Sequence, residues 1–176
     1  MTRETESLLV AFCGADGSSN VTVANALKAE LDKQFPTPVE LVANIATRLK
    51  ERGYPVDSET TTDTQWAIEW AWLDAEQRLR NVPKIFCRSV IDRMAYNRVC
   101  KLGMDLHFED ILPASLKRYT VLFYTPISQG DESQKVIDSV IRKIIKDYSI
   151  PVQLLCGSME NKIGLALEAA KLRLGI

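Results

Sequence analysis

Short apolar runs alternate with helix-length amphipathic stretches along this chain, and that alternation is its strongest constraint on fold. The runs are Ser7–Cys13, Val39–Val42, Val82–Cys87, Tyr119–Tyr124 and Val152–Cys156. They are largely continuous rather than alternating apolar and polar, which is the pattern of strands buried on both faces of a parallel sheet. Helical spacing fills the gaps. Val21, Ala24, Leu27 and Leu31 share one face, and Ala43–Arg52 forms a second helix ended by Gly53. A third runs from a Thr62 or Asp63 cap to about Asn81, a fourth from a Ser89 cap through Val99, and a fifth over Ile111–Leu116. Asp131–Tyr148 carries Val136, Ile137, Val140, Ile141, Ile144 and Ile145 on its inner side, and the last helix turns Ile163, Leu167, Ala170 and Leu174 inward. The expected class is α/β, with helices on both faces of a parallel sheet. Right-handed crossovers bring the turns Gly14–Ser19, Cys87–Ser89, Thr125–Gly130 and Cys156–Ser158 to one sheet edge, where open α/β sheets bind ligands.

The 176 residues suit one domain, expected to span 1–176, with 46% hydrophobic and 26% charged residues supporting an ordinary core. Lys and Arg number 22 against 23 Asp and Glu. That balance gives no electrostatic case for duplex DNA or an anionic membrane. One histidine argues against a multi-histidine metal site. Cys13, Cys87, Cys100 and Cys156 form no C-x-x-C pair, so free thiols in a reducing, cytoplasmic compartment are expected. Acidic residues precede the first apolar run, which is too short for a signal peptide.

Between the first strand and the first helix stands FCGADGSSNVTV, the position of a phosphate-binding loop. Such a loop works because backbone N–H groups and a helix N-terminus cradle phosphate, while a Lys and a hydroxyl hold the outer phosphates and Mg²⁺. Against G-x-x-x-x-G-K-[ST], Gly14 matches the first glycine, with Gly17 and Ser18 within the turn. Ser19 replaces the second glycine, Asn20 the lysine and Val21 the hydroxyl residue; Thr22 is one place late. The shape of the motif is present and its charge is absent. A plain helix start capped by Ser18 or Ser19 is the competing reading.

Further along, PVELVANIATRLKERGYPVDSETTTDTQWAIEWAWLDAEQRL leads into NVPKIFCRSVIDRMAYNRV. Together with the YTVLFYTP and IPVQLLCGSMENKI strands, this order resembles the small bacterial and phage P-loop kinases of the NadR-like type, relatives of nucleoside, nucleotide and thymidylate kinases. The most specific piece is Arg88-Ser89-Val90-Ile91-Asp92-Arg93 with Ala95-Tyr96, similar to the signature D-R-S-x-x-D-x-x-A-Y; Thr61, Thr62 and Gln65 opening a helix come second. The resemblance implies a three-layer P-loop fold with five parallel strands in the order 2-3-1-4-5. It also implies phosphate-binding roles for Gly14, Gly17, Ser18, Ser19, Asn20, Val21 and Thr22. Asn44, Gln65 and Arg88 fall on the substrate side.

The chain departs from that family where charge matters. Cys87 stands where the family ends its strand in Asp, and a thiol is a poor ligand for a hard cation. Asn44 falls on the substrate-side acid, Thr47 on the expected Arg, and PISQGDESQ carries none of the lid arginines. Phosphoryl transfer is largely positioning plus charge stabilisation, and one missing Arg can cost roughly 10³–10⁵ in rate. No metal site is expected and no residue is assigned to catalysis with conviction. Were the chain active, Asp16, Thr22, Arg88 and Asp92 would carry the chemistry, with Arg93 beside them.

The leading expectation is a catalytically degenerate kinase homologue that binds a protein partner. It requires no cofactor and leaves room for ATP or another nucleotide, bound weakly and without Mg²⁺. An active nucleoside or nucleotide kinase is the alternative, and a nucleic-acid accessory protein a third reading, disfavoured by balanced charge. Arg88 is expected either to pair with Asp92 or to meet a phosphate, and Gln65 either to read a base edge or to lie exposed. Trp66 and Trp70 are expected in the core, and Trp72 on a partner surface. Cys13, Cys87 and Cys156 are read as filling space at the binding edge, and His107 is given no role.

Overall fold

The computed structural model describes residues 8–43, 45–56, 59–78 and 82–174. Asn44, the strand start at Ser7, the helix end at Asn81 and the side chain of Leu174 lie outside the described residues. The elements follow as β1 (Leu9–Cys13), α1 (Asn20–Leu31), β2 (Glu40–Val42), α2 (Ile45–Glu51), α3 (Thr62–Gln77), β3 (Lys84–Phe86), α4 (Val90–Cys100), α5 (Asp105–Arg118), β4 (Val121–Tyr124), α6 (Glu132–Asp147), β5 (Gln153–Leu154) and α7 (Met159–Leu174). All five strands are parallel and ordered β2-β3-β1-β4-β5, as the sequence led us to expect. β1 is central because every one of its residues is buried, so both of its faces are covered.

Helices cover both faces. One cluster joins Val10, Phe12, Ile85 and Phe123 to Val23, Leu27 and Leu31 of α1 and Ala166 and Ala170 of α7. The other joins Ala11, Cys13, Phe86 and Leu122 to Trp72 of α3, Ile91 and Met94 of α4, Phe108 of α5, and Ile141 and Ile144 of α6. Phe12 and Phe123 stack with ring centroids 5.1 Å apart, tying the central strands side by side.

Helix ends follow local chemistry. Ser89 and Asp92 close a capping box on α4, and Asp131 and Gln134 close another on α6. Thr61 caps α3 by accepting from Thr64 N–H. At the other end of α3 the buried Lys84 ammonium donates to the carbonyls of Ala75 and Arg78, satisfying groups that a helix C-terminus leaves open. The fifth helix is longer than Ile111–Leu116, spanning Asp105–Arg118.

Two expectations about helix faces are corrected. Val21 is exposed, and the inner face of α1 is Asn20, Val23, Ala24, Leu27 and Leu31. On α3 the buried residue is Trp72, 2% exposed, whereas Trp70 is 66% exposed and Trp66 half-buried. The inner stripe of α3 is Gln65, Ile68, Glu69, Trp72 and Glu76, so two carboxylates sit on the face that hydrophobicity alone assigns to solvent. The Asp131–Tyr148 helix is as expected except at Val136, which is exposed.

Candidate functional site

β1 delivers the chain to Gly14 at the C-terminal edge of the sheet. A β-carbon there would lie 2.5 Å from the Thr125 carbonyl oxygen and 2.7 Å from Ser18 Oγ, so only glycine lets the turn pass this close to the end of β4. The Gly14 N–H donates to Asp92 Oδ1 at 2.9 Å. Ser18 N–H closes the turn onto the Ala15 carbonyl at 3.1 Å. Ser19 then takes a left-handed conformation, φ 73°, at the position the phosphate-loop pattern reserves for glycine. Ser19 holds the N-cap position of α1, as the competing reading had it, but its side chain makes no capping bond. A serine therefore holds a backbone conformation that glycine adopts more readily.

Asn20 occupies the lysine position, buried at the first turn of α1, and neither Oδ1 nor Nδ2 has a hydrogen-bond partner. Val21 and Thr22 both face solvent. Gly17 packs against α6, with Gln134 Nε2 3.5 Å from the place of a β-carbon. Thr125 Oγ1, fully buried at the end of β4, is also unpartnered.

The signature segment after β3 is the other half of the site. Asp92 is buried and committed: Ser89 N–H donates at 2.7 Å and Ser89 Oγ at 2.9 Å, in addition to Gly14 N–H. Burial raises its pKa, against the opposing pull of Arg88 and these donors. So placed, Asp92 anchors the loop to α4 and has no free face for general-base work. Arg88 donates to the Gly14 carbonyl and to the Asp16 carboxylate, and lies 3.4 Å from Asp92 Oδ1. Of the two partners expected for Arg88, Asp92 is within ion-pair reach, and the Asp16 carboxylate takes the guanidinium as well. Asp16 Oδ2 also accepts from Tyr96 Oη at 2.7 Å. The exposed tip of the loop is thereby laid onto α4.

Beneath this contact is a cavity of ≈ 80 Å³ whose walls include Val56, Thr60, Gln65, Ile68, Trp72 and Tyr96. Small-ligand pockets are usually about 300–1,000 Å³. With Asp16 seated on Arg88 and Tyr96, the cavity is smaller than such pockets. Gln65 is buried in this wall, which corrects its reading as an exposed residue.

Behind the cavity runs an ionic network that sequence reasoning missed. Arg93 pairs with Glu69, lies 3.7 Å from Glu76, and stacks over the Trp72 ring at 5.4 Å. Arg118 reaches Glu76 at 2.5 Å, and Tyr119 Oη donates to it at 3.1 Å. His107, given no role from sequence, lies 3.5 Å from Glu69 and 4.7 Å from the Trp66 ring. The spacing of Gln65, Ile68, Glu69, Trp72 and Glu76 along one helical face was the available signal.

The thiols do not converge. Cys13 packs on the α3–α6 side of the sheet, Cys87 on the α1–α7 side, and Cys156 is exposed. Burial pushes the Cys87 thiol up to about 11 and that of Cys13 well above its usual value. Both are therefore neutral thiols near pH 7 in the metal-free chain. Among the described residues no group of three His, Cys, Asp or Glu side chains is placed to hold a metal ion, and no helix is long and apolar enough to cross a membrane.

Solved structures supply the comparison. A NadR protein in complex with NR superposes with a TM-score of 0.73 at 15% identity, over 97% of this chain and 50% of that one. Thymidylate kinase from Ehrlichia chaffeensis gives 0.60 at 13% identity, over 94% and 98% of the two chains. Deoxyadenosine kinase from M. mycoides with bound dCTP gives 0.60 at 16%, over 92% and 97%. The chain has a P-loop nucleotide kinase-like fold. It spans half the length of the NadR chain. No family model matches the sequence, and no curated protein does.

Proposed function

We propose that this chain is a P-loop kinase homologue that binds without transferring phosphate, working through a protein partner and holding a nucleotide weakly and independently of Mg²⁺. The observation that carries the reading is Asn20. At the position where the fold's chemistry needs a cation there is a buried neutral amide with no partner. Asn20 can donate one hydrogen bond to a phosphate, but it supplies no charge to the developing transition state. Cys87 adds to this, being neutral near pH 7 and packed on the α1–α7 side. Asp92 is spent on Gly14 and Ser89, and Arg88 on Asp16 and Gly14.

The backbone cradle nevertheless persists in Gly14, Gly17, the left-handed Ser19 and the N-terminus of α1. Rebuilding the motif as Ser19→Gly, Asn20→Lys and Val21→Thr therefore tests the reading. In a thermal-shift series with ATP, the wild type should show no Mg²⁺-dependent shift. The triple variant should gain one, since ligand at 100 times its Kd stabilises by about 2.7 kcal/mol. Adding Cys87→Asp should leave turnover negligible, because the PISQGDESQ segment supplies no Arg. Mg²⁺-dependent ATP binding or nucleoside phosphorylation by the wild type would overturn the proposal. A folded triple variant with no gain would show that Gly14–Val21 is not a phosphate loop.

A second reading, an active nucleoside or nucleotide kinase, draws on the surviving cavity with Gln65, Trp72, Arg88 and Tyr96 in its wall. It predicts turnover by the wild type, so the same assay separates the two.

A further inference from the structure

β2 is an outer strand of the sheet. Its inner edge is used: Glu40 N–H donates to the Pro83 carbonyl at 2.8 Å, and the Val42 carbonyl accepts from Cys87 N–H at 3.2 Å. Backbone groups alternate between the two edges of a strand, so the N–H and C=O of Leu41 point away from β3. No described strand pairs with that outer edge. Proteins normally cover, bulge or charge such an edge, because it is a template for another strand.

Along this edge lies a groove of ≈ 410 Å³ between β2, α2 and α3, with Leu41, Ile45, Leu49, Ala71 and Ala75 as its apolar lining. Its charges do not cancel. Asp74 is held by Arg78, which leaves Glu40 as the remaining carboxylate of the lining. Arg48 of α2 and Arg52 just beyond it are both exposed and line the groove, and neither has an ion-pair partner among the described residues. An open strand edge is thus bordered by two guanidinium groups free of ion pairs among the described residues, against the one carboxylate of Glu40.

We propose that this groove is a docking site for an acidic, extended segment of a partner protein, which adds to the sheet as a strand beside β2. Its main chain pairs with Leu41 N–H and C=O, and its carboxylates meet Arg48 and Arg52, the geometry in which Arg binds carboxylate most strongly. Charge disfavours a second copy as occupant. A two-fold contact apposes one patch with itself, setting each Arg48 and Arg52 pair near its own counterpart. The inference names the partner in the proposed function and rests on that part of it; it is independent of the nucleotide loop.

The probe is a fluorescein-labelled heptapeptide, Thr-Glu-Val-Glu-Val-Glu-Thr, titrated with the full chain by fluorescence anisotropy. The same peptide with Lys for Glu is the control. We expect the acidic peptide to bind and the lysine peptide not to. Arg48→Glu with Arg52→Glu should weaken binding by 10-fold or more (about 1.4 kcal/mol). Leu41→Pro should weaken it comparably, since it removes an outward N–H and leaves both bonds to β3. Should that variant misfold, N-methylation of alternate peptide amides removes the same pairing with the protein untouched. Absence of binding at millimolar chain, equal binding of the lysine peptide, or indifference to N-methylation would each overturn the proposal. So would sedimentation showing a dimer that Leu41→Pro dissolves, because β2 would then pair with a second copy. ATP thermal shifts of the Arg48/Arg52 variant should match the wild type, so a failed dock leaves the loop reading standing.

Discussion

The two faces of the sheet bury different chemistry. Under α1 and α7 the core is mostly aliphatic or aromatic, with the Cys87 thiol among it, and the buried polar side chains of those two helices are Asn20 and Lys162. Under α3 to α6 a comparable apolar set surrounds Glu69, Glu76, Asp92, Arg93 and Asp138, each nearly inaccessible to water. The cavity and the signature segment belong to that second face. An apolar face is held by packing and fails by leaving a void. A charged face is held by mutual neutralisation and fails by leaving an ion unpaired. Buried ion pairs surround the cavity, whereas the Gly14–Val21 turn contains no Lys or Arg.

The largest test of this contrast is Arg93→Ala. It leaves Glu69 without its ion pair and Glu76 with Arg118 alone, and should cost about 3–5 kcal/mol in denaturant unfolding. The double variant Arg93→Met with Glu69→Gln should recover a measurable part of that loss. If the single and double variants are equally unstable, the pair acts only by filling space. Trp72→Ala should cost about 3–5 kcal/mol, because the ring packs on Phe86 at 5.0 Å and under Arg93. Trp70→Ala should fall within about 0.5 kcal/mol of the wild type. Equal effects would place α3 in a different rotation.

On the apolar face, pH gives a sharper probe. Cys87 ionises near 11 in the folded chain and at its usual value of 9.0 when unfolded. The raised folded value means that its contribution is complete below pH 9.0 and is lost as pH rises through 11. That loss is about 3 kcal/mol, at about 1.4 kcal/mol per pH unit. Unfolding curves across this range should show it in the wild type and lack the Cys87 share in Cys87→Ala. A smaller effect than that of Cys87 belongs to Asn20→Leu, which removes two unpartnered buried polar atoms. It should be neutral or stabilising by about 1 kcal/mol. A large destabilisation would mean that the amide has a partner, such as bound water, in solution.

Much of the fold was legible. Continuous apolar runs marked the strands, and Ser89 announced the start of α4 through short-range geometry. The candidate site was legible in part. The loop and the signature segment were found, and Gly14, Ser18, Arg88 and Asp92 do come together. The meeting of Asp16 with Arg88 and Tyr96 was not, because those partners are far apart in sequence and only the crossovers bring them within reach.

What the sequence by itself determined was whatever depends on neighbours along the chain: the buried parallel strands and the Ser89 cap of α4, though not the α3 cap, which is Thr61 rather than Thr62 or Asp63. Tertiary structure alone decided which face of α3 turns inward. Hydrophobicity ranks Trp70 above Glu69, yet Glu69 is the buried one, because Arg93 on α4 neutralises it inside the fold. Burial of a charge depends on a partner from another element, and the location of that partner is a property of packing rather than of sequence spacing.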